Sequence, residues 1–223
     1  MQDYIQITMQ HELAISSIGA PHSIHADRIV ANMLRQLSKQ HATLWELVDG
    51  ITKDKYVRDG NARAQGKLRD RIKAAGASFV HLESGKRGKY KLIVSDLVGW
   101  NPYTDCIIAV GDQIPEKPWL ANLVHTVEGL GHGRVRFISR VSTFLSHHCL
   151  SRVTQHWAVR TLPELVRVAE TVIAAVMRYD TKISDEDWSR APPDGIRIPI
   201  NDVATAVLKR HEKYNSFVAI TIF

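Results

Sequence analysis

The chain has 223 residues, of which 44% are hydrophobic, and it carries 29 lysines and arginines against 23 aspartates and glutamates. This length and composition predict a folded protein with a sizeable core, in one domain or in two small ones, and exclude a disordered chain. The formal net charge of +6 makes nucleic acid or a nucleotide the first partner class to test, and generic basic solubility explains a charge of this size nearly as well.

Cysteine content and hydropathy point to a cytoplasmic protein. Cys106 and Cys149 are the two cysteines of the chain, which are too few for a disulfide framework and have no paired spacing for a structural zinc ion. The first residues show no basic region followed by an apolar one, and no apolar run approaches the roughly 20 residues that span a bilayer. We therefore expect no membrane association.

The first third of the chain shows helical patterns. Residues 23–40 place apolar side chains at helical spacing, residues 43–48 predict a second short helix, and residues 61–75 predict a charged third helix that ends at Gly76. Residues 1–76 are therefore expected to form a mainly helical N-terminal region.

The middle of the chain changes to extended patterns. Residues 78–83 and 90–94 read as two strands joined by a basic turn that contains Lys86 and Arg87. Further strands are predicted at residues 106–110 and 134–141, the latter with the polar and apolar alternation of a half-buried strand.

The last third mixes both patterns. Helices are predicted at residues 147–159 and 163–177, an extended piece at 196–200, a further helix at 203–211 and a strand at 217–223. The prediction is thus an α+β fold with a central, mainly antiparallel sheet covered by helices. Residues 77–223 would carry the functional site, either as a region of their own or as part of one continuous domain.

A long cationic segment is the main indication of function. Residues 129–163 contain no Asp or Glu but include five arginines and four histidines, namely Arg134, Arg136, Arg140, Arg152, Arg160, His132, His147, His148 and His156. Positive charge attracts an anion and imidazole can transfer protons near neutral pH. This pattern suits the binding and turnover of a phosphate-bearing partner.

Three polar side chains of the predicted helix at residues 147–159 fall in one narrow arc. Each helical residue advances by about 100°, so His148, Arg152 and Gln155 leave the helix on the same side. In this trio Arg152 would hold phosphate oxygens, His148 would act as general acid or base, and Gln155 would orient either. His156 lies at the edge of the arc, and Arg134, Arg136 or Arg140 would add charge. The alternative is a solvated basic helix face.

Two further patterns bear on the chemistry. Adjacent His147 and His148 diverge by about 100° on a helix, so one ion cannot readily bind both, and we expect a mechanism without metal or other cofactor. Lys86 and Arg87 are candidates for contacts to a nucleic-acid backbone, with a solvated turn as the alternative. Residues 129–133 lack the phosphate-loop pattern and are interpreted as a flexible loop.

Residues 146–155, Ser-His-His-Cys-Leu-Ser-Arg-Val-Thr-Gln, resemble the S-x-H-A-L-x-R-x-x-Q-R helix of small bacterial toxin-like proteins, some of which are similar to compact endoribonucleases. The resemblance covers ten to fifteen residues. Cys149 stands in place of the alanine of that pattern, and His156 in place of its second arginine. The resemblance implies His148, Arg152 and Gln155 as functional positions.

These observations lead to a first hypothesis and to alternatives. The first is a bacterial toxin or defence effector, a ribonuclease or nucleotide-targeting hydrolase, which acts on RNA or nucleotides by metal-independent phosphoryl chemistry and has a neutralising protein or nucleoprotein partner. The alternative is a non-catalytic module that binds nucleic acid or protein. A third hypothesis is a structural or antitoxin-like partner, in which exposed apolar residues of the first helix such as Ile29 or Met33 form a protein interface. A homo-oligomer would also use such an interface.

Overall fold

The computed structural model describes residues 23–85, 89–157, 159–180, 190–202 and 204–223. Lys86 and Arg87, the two basic residues predicted at the first hairpin turn, lie outside the described residues.

Three helices precede the sheet: α1 (Ser23–Lys53), α2 (Lys55–Arg58) and α3 (Ala62–Ala74). The two helices predicted within residues 23–48 are one helix, because neither glycine nor proline interrupts them and the buried apolar positions continue through Leu37, Leu44 and Val48. Asp54 and Asn61 cap α2 and α3 by accepting hydrogen bonds from the backbone N–H groups of Val57 and Ala64.

The described residues form an eight-stranded sheet. Its strands are β1 (Phe79–Ser84), β2 (Lys89–Asn101), β3 (Cys106–Ile107), β4 (Trp119–Gly131), β5 (Arg134–Leu145), β6 (Ile196–Asn201), β7 (Ala204–His211) and β8 (Ser216–Ile222). The order is β1-β2-β4-β5-β8-β7-β6, with β3 paired to β2. All pairs are antiparallel except β5 with β8. The predicted α+β class with a mainly antiparallel sheet is confirmed.

The local structure differs from the sequence expectations in several places. The strand predicted at residues 106–110 is confined to Cys106 and Ile107. Residues 204–211 are strand β7 and not a helix, because pairing with β6 and β8 decides the conformation of a short apolar run. Strand β4, the centre of the sheet's first half, had no sequence prediction. Strand β5 is exposed on both faces over most of residues 134–140, and continuous burial begins only near Val141.

Two further helices, α4 (His147–His156) and α5 (Leu162–Asp180), follow β5. They share a core with the first half of α1 and with apolar residues of β6, β7 and β8. Met33 belongs to this core and is only 3% exposed, so the prediction that it contributes to an exposed apolar interface is wrong. Ile29 is partly buried against the same core.

The second half of α1 packs with α3 on the strands β1, β2 and β4. A third cluster, with Trp100 and Phe144 at its centre, lies on β2, β4 and β5 and includes Tyr214 of a short 3₁₀ helix, Glu212–Tyr214. Helix α1 therefore bridges two cores, and its middle turn passes the central strands of the sheet. Among the helices of the described ranges, none combines the length and apolar character needed to cross a bilayer.

Candidate functional site

Helix α4 carries the trio predicted from the sequence. Ser146 caps the helix by accepting a hydrogen bond from the backbone N–H of Cys149, and Cys149 is fully buried. His148 and Arg152 are exposed and Gln155 is partly exposed, so all three lie away from the core face. The guanidinium of Arg152 donates a hydrogen bond of 2.9 Å to Nε2 of His156, one turn further along. In this conformation His156 is an acceptor and one arm of the Arg152 fork is occupied.

The other end of α4 is held against α1. Nε2 of His147 lies 3.3 Å from Oδ1 of Asp27, and the hydroxyl of Ser151 donates to the same oxygen at 3.3 Å. These contacts orient the helix. Both groups contact the same oxygen of Asp27, so these contacts hold α4 against α1. They do not form a catalytic series in which an acid orients a base and the base activates a nucleophile.

The arginines of β5 form a separate surface. Side chains alternate along a strand, so Arg134, Arg136 and Arg140 share one face of β5, and all three are exposed. Arg136 pairs with Glu128 of β4 at 3.3 Å. A strand rises by about 3.3 Å per residue, which puts Arg140 about 20 Å from Ser146 at the start of α4. Among the described residues, the recorded side-chain partners of Arg136 and Arg152 are Glu128 and His156, and these contacts do not join the strand arginines to the α4 trio.

A groove of about 630 Å³ lies between the middle of α1 and the sheet. Its lining comes from α1, from β2 to β5 and from the 3₁₀ helix, namely His41, Trp45, Trp100, Cys106, Ile107, Leu123, His125, Ser139, Arg140, Val141 and Tyr214. This groove was not predicted from the sequence. It brings together two histidines, a serine and several aromatic rings, and a buried carboxylate contacts one of the histidines.

His41 enters this groove from α1 and is oriented by Asp96 of β2. Nδ1 of His41 lies 2.5 Å from Oδ2 of Asp96, and the Asp96 side chain is almost completely buried. The carboxylate accepts the Nδ1 hydrogen bond, so Nε2 remains for another partner.

His125 of β4 lies directly opposite Ser139 of β5 in the antiparallel pairing. Nδ1 of His125 is 2.9 Å from the Ser139 hydroxyl, while the histidine itself is 1% exposed and the serine is exposed. Burial lowers the pKa of His125, the nearby Asp96 carboxylate opposes this shift, and His41 adds to it. Since the ordinary value is near 6.5, His125 is neutral at pH 7 and can accept a proton.

Two aromatic side chains join the histidines. The ring of Trp45 is 6.3 Å from that of His41, one helical turn away, and 5.6 Å from that of His125. Phe137 stacks on His125 at 5.9 Å and meets Trp45 edge-on at 5.7 Å. Both aromatic residues are more than a third exposed. The mouth of the groove thus presents an aromatic surface beside two potential proton carriers.

Arg140 belongs to the lining through its position on β5, but strand alternation turns its side chain to the face opposite Ser139. The groove and the α4 trio are also distinct. Asp27, which contacts α4, and His41 are 14 positions apart on α1, which corresponds to about 21 Å at 1.5 Å per residue.

Within the described ranges, no three His, Cys, Asp or Glu side chains are grouped so as to hold a metal ion. No family model, curated protein or solved structure matches this chain.

Proposed function

We propose that the chain is an enzyme that cleaves RNA by metal-independent acid–base chemistry in the groove between α1 and β5. The observation that carries the proposal is that two histidines with different hydrogen-bond partners and different burial lie in one groove. Nδ1 of His41 contacts the buried carboxylate of Asp96. His125 is a buried neutral base, and its Nδ1 contacts the exposed hydroxyl of Ser139. Paired groups with different environments are the usual basis for assigning acid and base roles.

The proton transfers follow from these contacts. The substrate 2′-hydroxyl attacks the adjacent phosphorus and passes its proton to the hydroxyl of Ser139, which at the same time gives its own proton to Nδ1 of His125. His41, in its protonated form, donates from Nε2 to the leaving 5′ oxygen, while the Asp96 carboxylate holds the ring in place through Nδ1. The products are a 2′,3′-cyclic phosphate and a 5′-hydroxyl end. Each step uses groups that are already within or beside the groove.

Charge and aromatic surface support a nucleic-acid substrate. The net charge of +6 and the exposed arginines of β5, which lie on the face of the strand opposite to the groove, attract a polyanion to the protein. Trp45 and Phe137 offer faces on which an unpaired base can stack, an interaction that contributes about 1–3 kcal/mol per base. A cell that makes such an enzyme without restraint would lose RNA, which fits a toxin or defence effector in the cytoplasm.

The test is cleavage of a fluorescent single-stranded RNA by purified protein in the presence of a chelator, with DNA of the same sequence as the substrate control. We expect His41→Ala to lower the rate by a factor of about 10² to 10⁴, the usual contribution of a general acid or base. His81→Ala is the matched control, because His81 is an exposed histidine of β1. Mass spectrometry should find the cyclic phosphate.

Cleavage of DNA and RNA at equal rates would contradict attack by a 2′-hydroxyl. Equal RNA cleavage by wild type and His41→Ala would show that the groove is not the active site.

A second candidate function is nucleic-acid binding without catalysis, favoured by the three exposed arginines on one face of β5. Binding dominated by phosphate contacts weakens steeply with salt. Saturable, salt-sensitive RNA binding with no product after long incubation would support this function over the first.

A further inference from the structure

Strand β5 has an open backbone edge over its first half. On one side it pairs with β4 along its whole length, from Arg134 to Leu145. On the other side β8 pairs only with Thr143, Phe144 and Leu145. In the part of the chain that the structure describes, no other strand pairs with residues 134–140. The outward N–H and C=O groups of this segment are therefore available to a further strand.

The side chains of this edge are also accessible. Phe137 is 36% exposed and Ile138, on the opposite face, is 44% exposed. Such an edge binds an extended segment through main-chain hydrogen bonds, and pockets or charges on the two faces select its side chains. The first half of β5 meets the geometric requirement for strand addition.

The charge of the edge selects among partners. Arg134, Arg136 and Arg140 lie on one face, and Glu128 of β4 neutralises only part of this charge through Arg136. A second copy of the same strand is disfavoured. Antiparallel self-pairing centred on Phe137 places Arg134 opposite Arg140, and pairing centred on Ile138 places Arg136 opposite Arg140. Like charges directly opposite each other destabilise a strand pair.

We propose that residues 134–140 of β5 bind an extended acidic segment of a partner protein, which continues the sheet as an added strand. Its Asp or Glu side chains occupy alternate positions on the arginine face. The intervening apolar side chains lie on the face of Phe137 and Ser139. Opposite charges at cross-strand positions stabilise the added strand in addition to the main-chain hydrogen bonds.

The added strand would lie beside Ser139 and the mouth of the groove. If the proposed RNA cleavage is correct, this partner therefore restrains the enzyme by covering its substrate path. That consequence rests on the proposed function, whereas binding of the acidic strand does not.

The experiment measures binding directly and without RNA. A fluorescent peptide of about eight residues, with glutamate alternating with valine, is titrated with the protein, and a matched peptide with lysine in place of glutamate is the control. We expect saturable binding of the glutamate peptide only. Arg136→Glu should weaken it by at least about tenfold. Lys73→Glu, a charge reversal at an exposed position of α3, should not.

Amide hydrogen exchange distinguishes an added strand from a loose ion pair. Bound peptide should slow exchange within residues 134–140 and leave α3 unchanged. Saturable binding without this protection, or absence of binding, would overturn the proposal. Protection of the same amides by single-stranded RNA but not by the peptide would replace the protein partner with nucleic acid. Circular dichroism of Arg136→Glu confirms its fold, and Arg140→Glu provides a second charge reversal.

Discussion

The phenol ring of Tyr90 lies across Gly129, its antiparallel partner, so closely that a Cβ atom at position 129 would come within 2.2 Å of the ring carbon Cε1. Tyr90 is buried, and its ring fills the space that the glycine leaves open. Residues 129–133 were predicted as a flexible loop. Instead, Gly129 and Gly131 belong to the end of β4, and the turn to β5 is made by His132 and Gly133 with positive φ angles of 53° and 69°.

Gly129→Ala should destabilise the protein. The methyl group overlaps a buried ring that must then move, and overpacking of this kind costs about 1–3 kcal/mol. Urea unfolding followed by circular dichroism measures the change.

Gly66→Ala is the control substitution, for which we expect the opposite change in the free energy of unfolding. Gly66 lies within α3, and no atom lies within 4 Å of an added Cβ. Alanine there should stabilise by about 0.4–1 kcal/mol, because it restricts the unfolded chain and favours the helix. Equal effects of the two substitutions would contradict the packing argument for Gly129.

Stability should fall with acidification because of His125. Burial holds its pKa in the folded state below the ordinary value, so the unfolded chain binds more protons as the pH drops below about 6.5. The stabilisation that neutral His125 contributes is complete above that pH, and it is lost as the pH falls through the pKa of His125 in the folded protein. Thermal unfolding between about pH 8 and pH 5 should show this decline.

His125→Gln should reduce the pH dependence, whereas His81→Gln, at an exposed position, should not. Histidine NMR titration of the wild type gives the pKa directly. A value for His125 at or above that of an exposed histidine would refute the assignment of a buried neutral base.

The two cysteines should react differently. Cys149 is fully buried and burial raises its pKa to about 12, whereas Cys106 is exposed beside the groove. Since the thiolate is the reactive form, a thiol reagent at about pH 8 should modify Cys106 alone in the native protein and both residues after denaturation. Native Cys106→Ser should give no rapid reaction, and rapid modification of that variant would show that α4 opens.

The α4 trio permits a separate test. His148 is exposed, so His148→Ala should change the free energy of unfolding by no more than about 0.5 kcal/mol. RNA cleavage measured on the same preparation then compares the two sites. Loss of cleavage in His148→Ala, with full activity in His41→Ala, would place the chemistry on α4 as the sequence predicted and contradict the groove.

The fold class was predictable from the sequence because most elements have local signals. Asn61 caps a helix, apolar residues recur at helical spacing in α1 and α5, and turn residues separate β1 from β2. The conformation of residues 204–211 was not predictable from local pattern, because a short apolar run is compatible with either a helix or a strand. Its two neighbouring strands supply the deciding hydrogen bonds.

The groove depends on contacts between distant residues. His41 and Asp96 meet across 55 positions, and no motif marks either one. The pairing of His125 with Ser139 also escapes a local reading. A regular hairpin with its turn at His132 and Gly133 would place His125 opposite Arg140, and the register shift between Gly129 and Gly131 brings Ser139 opposite His125 instead.

The position of β8 between β5 and β7 has a consequence for synthesis on the ribosome. The hairpin of β4 and β5 can form long before residues 216–222 are made, but until then the edge at Thr143, Phe144 and Leu145 has no partner from β8. Phe144 is fully buried in the finished protein. A nascent chain that exposes this apolar edge is prone to aggregation and is a natural client for chaperones that bind extended apolar segments.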